Sequence, residues 1–220
     1  MSDKYLVLTD ELYDYMVEQR SDAHDPVLEA LWAETENLGE ISKMAISHDQ
    51  ASLLTFLVKL IGAKWAVEVG TFTGTSSISI ARGLAPGGKL MCFEKDFRWI
   101  SIARRYWMKA GVQDRIDLRL GKAHELLAHY RPPGPLDFVF IDADKESYDL
   151  YYEALLPVMR AGGLMVFDNM LRGGEVIDPF KKNTPANRAI DQLNHKLATD
   201  PRVQSVLISV ADGIHLCRKR

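Results

Sequence analysis

The sequence predicts a doubly wound α/β fold: a mostly parallel sheet with helices on both faces and an antiparallel hairpin at its C-terminal edge. Three observations predict it. From Trp65 onward, short apolar runs alternate with stretches of helical periodicity, the pattern of parallel strands joined by crossover helices. Two of these runs, 138–141 and 163–167, end abruptly in polar clusters, Asp142/Asp144/Lys145 and Asp168-Asn169. Near the C-terminus, Ala211-Asp212-Gly213 joins two strand-like runs, 203–210 and 214–218, and Asp-Gly between such runs is a hairpin signal.

The elements follow in order. Residues 1–62 read as a helical extension ahead of the sheet. Leu12, Tyr15, Met16 and Gln19 stand at helical spacing, and Pro26 opens a second helix to about 37. Ser47 and Gln50 form a capping-box pattern before Leu53, Leu54, Leu57, Val58 and Ile61, and Gly62 stops that helix. Strands are expected at 65–69, 89–93, 116–120, 138–141 and 163–167, with helices at 76–83, 97–110, 122–130 and 147–160 between them. Thr184-Pro185 caps and begins a last helix to about 198.

The chain has 220 residues, 47% of them hydrophobic, which suits a single domain with a sizeable core. A formal net charge of −3 gives no basic field for nucleic acid. No apolar run approaches the roughly 20 residues needed to cross a bilayer, and Met-Ser-Asp-Lys-Tyr has no signal-peptide pattern. Cys92 and Cys217 lie in apolar strand-like runs and read as reduced core thiols, so a cytoplasmic protein is expected.

Ligands of open α/β sheets bind beyond the carboxyl ends of the strands. The strand–helix–strand unit from 138 to 167 makes neighbouring parallel strands, roughly 5 Å apart. Asp142, Asp168 and Asn169 should therefore converge at one edge. Three oxygen donors without a Cys or His suit a hard cation, Mg²⁺ foremost, with Ca²⁺ or Mn²⁺ as alternatives. The competing account is two solvated strand ends bearing turn-forming Asp and Asn.

The first strand ends in Glu68-Val-Gly70-Thr-Phe-Thr-Gly74-Thr-Ser76, followed by a helix. Such a turn brings backbone amides to a ligand. A dinucleotide asks for Gly-x-Gly-x-x-Gly, but here the spacing is Gly70-x-x-x-Gly74 with a bulky Phe72 between. S-adenosylmethionine needs no pyrophosphate site. Glu68 and Asp142 can serve its cationic part, and Glu94, ending the second strand, its ribose hydroxyls.

Glu68-Val-Gly-Thr-Phe-Thr-Gly74, Gly121-Lys-Ala123, Ile141-Asp-Ala-Asp-Lys145, Gly162-Gly163, Asp168-Asn169 and Asp212-Gly213 occur in that order. With these motifs the chain resembles the cation-dependent O-methyltransferases of the caffeoyl-CoA type and, more distantly, catechol O-methyltransferase. The resemblance runs from about residue 40 to the end. It implies the Rossmann-like sheet of S-adenosylmethionine-dependent methyltransferases, a homodimer, and a small aromatic diol as acceptor. It implies metal ligation by Asp142, Asp168 and Asn169. Methyl-donor contacts are implied for Ile46, Glu68, Gly70, Thr71, Ser76, Glu94, Ala123 and Asp144; Phe72 in the glycine turn, Asp142, and His124 beside Ala123 are further candidates for donor contact, with an exposed helix-start residue as the alternative for His124. Lys145 matches the lysine beside the reacting hydroxyl, which makes Lys145 and Asp142 the candidate catalytic pair. Two departures stand out. The family often has Asp-Glu-Gly-Gln where this chain has Asp49-Gln-Ala-Ser52, and Trp-x-Gly after Asp-Asn where this chain has Arg172-Gly173-Gly174.

A nicotinamide-dependent oxidoreductase and a non-catalytic subunit with the same fold are the alternatives. The glycine spacing disfavours the first, and the intact Asp142, Lys145, Asp168 and Asn169 the second.

Overall fold

The computed structural model describes residues 6–220, so residues 1–5 of the expected helical extension lie outside the described residues. The extension is built from α1 (Asp10–Glu18), α2 (Pro26–Glu36), a 3-10 turn at Gly39–Met44, and α3 (His48–Leu60). Strands β1 (Trp65–Val69), β2 (Lys89–Glu94), β3 (Ile116–Leu120), β4 (Leu136–Ile141) and β5 (Met159–Phe167) then alternate with helices. These helices are α4 (Thr75–Gly83), α5 (Phe97–Lys109), α6 (Ala123–Ala128) and α7 (Tyr148–Leu155). After α8 (Pro185–Thr199), β6 (Val203–Ile208) and β7 (Ile214–Lys219) close the sheet.

The strand order is β3-β2-β1-β4-β5-β7-β6. The β1/β2, β1/β4, β2/β3 and β4/β5 pairs are parallel, and β7 pairs antiparallel with both β5 and β6. This is the expected doubly wound sheet with its antiparallel edge. Side chains alternate across it. Phe138 and Phe140 join the layer of Leu54, Val58, Ile78 and Ile102, whereas Val139 and Ile141 join that of Tyr148, Tyr151, Tyr152 and Ile190.

The expected 147–160 helix is shorter than its periodicity suggests. α7 stops at Leu155, a single 3-10 turn spans Leu156–Val158, and β5 already begins at Met159. Pro157 lacks the amide that would continue the helix. Arg160 instead donates from Nε to Asp137 Oδ1 at 2.6 Å, and the β4/β5 register shifts between Leu136 and Phe138. Asp137 also accepts from the Lys64 and Trp65 amides, both at 2.8 Å, which locks the entry of β1.

Strand order reverses between β1 and β4, and the crevice of an open α/β sheet lies at such a point. Four backbone hydrogen bonds continue the ladder past the strand ends there. Gly70 N donates to Phe93 O at 2.9 Å, Gly121 N to Glu94 O at 2.8 Å, Asp142 N to Val69 O at 2.8 Å, and Asp168 N to Ile141 O at 3.0 Å. They hold the residues after β1, β3, β4 and β5 in fixed register at one edge. Gly70 has φ +93°, and a Cβ on it would lie 1.9 Å from the Asp142 carbonyl oxygen. Only glycine lets β1 and β4 approach this closely.

Candidate active site

A cavity of about 820 Å³ opens at this edge, within the range of small-molecule sites. Its walls come from the turn after β1 (Gly70–Ser76), the ends of β2, β4 and β5, the segment 43–50, the start of α6, and the tip of the β6–β7 hairpin. Four non-glycine residues among the described ones have positive φ: Phe72, Asn169, Arg172 and Ala211. All four line the cavity. Strained backbone of this kind persists only where surrounding structure enforces it, and it clusters at functional sites.

Lys145 ties one end of the cavity together. Its Nζ donates to Asp142 Oδ1 at 2.9 Å, to Asn169 Oδ1 at 2.5 Å and to the Tyr148 hydroxyl at 2.6 Å. Tyr148 OH in turn reaches the Asp168 carbonyl at 3.2 Å. Asp168 is 3% exposed. Its Oδ1 accepts from Gln50 Nε2 at 2.7 Å and from the Asn169 amide at 2.6 Å. Burial, and then the charge of Asp142 beside it, push the Asp168 carboxyl up to about 7. Burial raises Tyr148 well above the usual phenol range.

Asp142, Asp168 and Asn169 thus meet as the sequence predicts. Among the described residues no three His, Cys, Asp or Glu side chains form a cluster; the set here is two carboxylates and one amide. The donor set is all oxygen, and a bound cation would favour the ionised form of its carboxyl groups. The Lys145 ammonium held between Asp142 and Asn169 shows that these oxygens already turn toward a shared positive charge. The residues fit a hard cation.

At the other end, Glu94 braces the glycine turn. Its Oε2 accepts from the Thr71 and Phe72 amides, both at 2.9 Å, and its Oε1 from the Asp96 amide at 2.8 Å. These bonds hold Phe72 at φ +48°. Glu94 is expected as a ribose acceptor; Oε2 is already taken by two amides, and only Oε1, which accepts one bond, keeps a spare lone pair at the cavity Glu94 lines. Ile46, Gly70, Thr71, Phe72, Ser76, Ala123, His124, Asp142, Asp144, Lys145, Asp168 and Asn169 line the cavity too. Glu68 does not. It is fully buried behind the wall, with Thr71 Oγ1 donating to Oε2 at 2.9 Å. Its Oε1 has no partner, and burial pushes the carboxyl up to about 7. Asp144 accepts from Tyr151 OH at 2.7 Å. Burial opposes its ionisation, but hydrogen bonds from Ser147 and Tyr151 outweigh it and lower its pKa.

Sequence reasoning missed three contributors. Gln50 was read only as a helix cap, yet the same side chain accepts the Ser47 amide at 2.9 Å and donates to Asp168. Tyr148 carries no motif that singles it out in the sequence, yet its hydroxyl holds Lys145. Ala211 and Asp212 were read as a turn, and they line the cavity. Gly213 there has φ +86°, and a Cβ on it would lie 2.4 Å from Leu171 Cγ, so its absence lets the hairpin tip pack on the loop after β5. A capping Gln in a polar stretch was the one available signal.

Comparison with known proteins agrees with this architecture. The sequence profile described as "O-methyltransferase" matches residues 18–220. Tricin synthase 1 of Oryza sativa subsp. japonica is 36% identical, over 99% of this chain and 91% of its own. A caffeoyl-CoA O-methyltransferase of Populus kitakamiensis is 34% identical, over 94% of this chain and 92% of its own. Among solved structures, the O-methyltransferase from Bacillus cereus in complex with S-adenosylhomocysteine superposes with a TM-score of 0.84 at 32% identity, covering 94% of this chain and 97% of that one. TomG of Streptomyces achromogenes, solved with S-adenosylmethionine, gives 0.85 at 28% identity, covering 95% and 96%. With its switch-point cavity and a profile match over nearly its whole length, the chain belongs to the O-methyltransferase family of the caffeoyl-CoA O-methyltransferase type.

Proposed function

We propose that the protein transfers a methyl group from S-adenosylmethionine to one hydroxyl of a vicinal aromatic diol, with a divalent cation, Mg²⁺ foremost, held by Asp142, Asp168 and Asn169. The observation that carries this reading is the juxtaposition of these three oxygen donors and Lys145 with the glycine turn in one cavity. Family membership, with the Gly70-x-x-x-Gly74 spacing, decides against a nicotinamide cofactor. The solved relatives with bound S-adenosylmethionine or S-adenosylhomocysteine support the donor.

The cation would supply Lewis acidity toward a hydroxyl oxygen, and the donor a methyl group on a sulfonium. The chain's residues do the rest. Ser76, in the first turn of α4, suits the donor's carboxylate, because the Gly70, Thr71, Phe72 and Gly74 amides already have partners within the protein. Asp144, held ionised by its hydrogen bonds, and Asp142 suit cationic groups. Ile46, Phe72, Ala123 and His124 wall the cavity around the donor and keep water off it. Lys145 Nζ stands beside Asp142 and Asn169, where it takes the hydroxyl proton if neutral or balances the oxyanion's charge if protonated. Three contacts fix its direction, so orientation supplies much of the rate.

The diol follows from ligand number. Asp142, Asp168 and Asn169 would supply only part of the oxygen ligands that Mg²⁺ takes, and two adjacent hydroxyls of the acceptor would supply more. A single phenol would hold one position and rotate about it. The test compares a catechol with its monohydroxy analogue, with and without chelator. Turnover should vanish in excess chelator, return with Mg²⁺ or Mn²⁺, and strongly favour the catechol. Equal catalytic efficiency for both acceptors, or full turnover in chelator with no metal in the protein, would end this reading.

A further inference from the structure

We propose that Arg172 selects the acceptor by binding a carboxylate on it, so that the preferred substrate is an aromatic vicinal diol bearing a free carboxylate on the ring or a short side chain. This rests on the diol reading above and goes further by naming the acceptor's charge.

Arg172 is three residues beyond Asn169 and lines the same cavity. It opens a run of three left-handed residues, with φ +53° at Arg172, +60° at Gly173 and +84° at Gly174. Glycine would be the relaxed choice at all three positions, yet the first carries a long charged side chain. The surroundings enforce this backbone: the Leu171 amide donates to Asp212 O at 2.9 Å, and the Gly173 amide donates to Asp212 Oδ1.

The guanidinium is aimed by one bond. Its Nε donates to Asn187 Oδ1 at 3.0 Å. Asn187 is 1% exposed, and its Nδ2 donates to Glu175 Oε2 at 2.9 Å and to Lys181 O at 3.0 Å. That amide cannot turn without losing both contacts, so the Arg172 fork is held at its root. Among the described residues, Nη1 and Nη2 make no hydrogen bond or ion pair.

The carboxylates around it are already engaged. Glu175 feels the guanidinium's charge, but its oxygens are taken by Asn187 and by Lys181 at 3.1 Å. Asp212 holds the Gly173 amide, Asp142 holds Lys145, and Asp168 holds Gln50. Lys43, another cation of this cavity, is paired with Glu40 at 2.6 Å. Arg172 is left as a half-buried, oriented, unmatched donor fork on the loop that leaves the proposed cation ligands. A planar fork of this kind matches a carboxylate in a bidentate pair. An amide, ester or thioester presents no such anion.

The experiment measures kcat/KM of the full-length protein with 3,4-dihydroxybenzoate and 3,4-dihydroxybenzamide, and with 3,4-dihydroxycinnamate and its CoA thioester. The protein is saturated with S-adenosylmethionine and Mg²⁺. The wild-type protein should prefer each free acid by about tenfold or more, mainly through KM, as expected of a charge-assisted pair. Calorimetric titration of acid and amide, with S-adenosylhomocysteine bound, should show the same ratio. In Arg172→Met the acid-to-amide ratio should fall to about one. In Arg172→Lys, which keeps charge without the fork, it should lie between. Ratios taken within one protein cancel differences in folded fraction, and if the Met variant does not fold, the wild-type ratio and the Lys variant decide. A wild-type ratio near one, a preference that survives Arg172→Met, or a thioester preferred to its acid overturns this proposal and leaves the diol reading standing. Turnover of none of the four compounds, by protein that binds S-adenosylhomocysteine, removes the diol reading and this proposal with it.

Discussion

Asp168 is 3% exposed and is held by Gln50 and the Asn169 amide, so the proposed cation ligand is also a buried hydrogen-bond hub. A strand-end carboxylate looks peripheral in sequence, and Asp168→Ala would then cost only activity. The structure adds a stability cost. Removing the carboxylate strands Gln50 Nε2, and an unsatisfied buried donor costs about 1–3 kcal/mol. Asp168→Ala should therefore abolish cation-dependent turnover and also lower unfolding stability by about that amount, read by urea titration. Unchanged stability would mean that the Gln50 contact contributes nothing. A second residue, His215 on β7 opposite Phe167, sets a pH limb. His215 is 3% exposed, its Nδ1 lies 2.9 Å from Asn194 Oδ1, and burial pushes its pKa down to about 4. The depressed value means that the unfolded chain binds the proton first as pH falls. His215 therefore withholds nothing above about pH 6.5, and stability is lost as pH drops from there toward 4. Between pH 7 and 5 this group alone should cost about 2 kcal/mol. Glu68 works the other way: its pKa, raised to about 7, makes stability rise as pH falls toward about 4.5. Comparing wild type with His215→Gln isolates the histidine, and identical acid limbs for the two proteins would refute the assignment.

At the scale of elements, α3 and β5 are joined by one side chain. Gln50 caps α3 through the Ser47 amide and donates to Asp168, so the helical extension and the proposed cation ligands share a part. Gln50→Ala loses the cap and the Asp168 contact together. It should cost about 1–3 kcal/mol and reduce turnover. Gln50→Glu keeps an acceptor for the Ser47 amide but faces Asp168 with a like charge, so it should reduce turnover at least as much. Melting curves and methyl-transfer rates on both variants check this, and wild-type rates in both would show that α3 does not support the site. The same scale explains why α7 is shorter than its periodicity suggests. Its helical periodicity runs on toward residue 160, but Pro157 and the Arg160–Asp137 pair convert that stretch into β5. A local pattern ends where a side chain distant in sequence offers a better partner.

For the whole molecule, a donor bound in the cavity would stabilise the native state alone. At about 100 times its dissociation constant, S-adenosylhomocysteine should add about 2.7 kcal/mol, or roughly 5–10 °C in Tm for a chain of this size. NAD should add nothing. A melting point unmoved by saturating S-adenosylhomocysteine would count against the donor. Assembly is a further expectation. Tyr15, Met16, Met44, Phe56 and Leu60 are exposed on the helical extension, more apolar surface than a helix facing only water usually shows. Light scattering should report about twice the 24.8 kDa chain mass. A single-chain mass at micromolar concentration would exclude the homodimer. No helix among the described residues is long and apolar enough to cross a membrane.

By itself the sequence determined the parallel sheet with its antiparallel edge, the glycine turn after β1, and the convergence of Asp142, Asp168 and Asn169. Each follows from short-range information: short continuous apolar runs, a glycine where φ must be positive, and the rule that adjacent parallel strands end side by side. Only the tertiary structure decided that Glu68 sits behind the cavity wall, that Glu94 braces the turn, that Gln50 reaches Asp168, and that Asn187 aims Arg172. Those contacts join residues 22 to 118 positions apart, with Arg172–Asn187 spanning 15. No periodicity encodes them, because which polar groups meet depends on how whole elements pack, and a buried donor then takes whatever acceptor the packing leaves within reach.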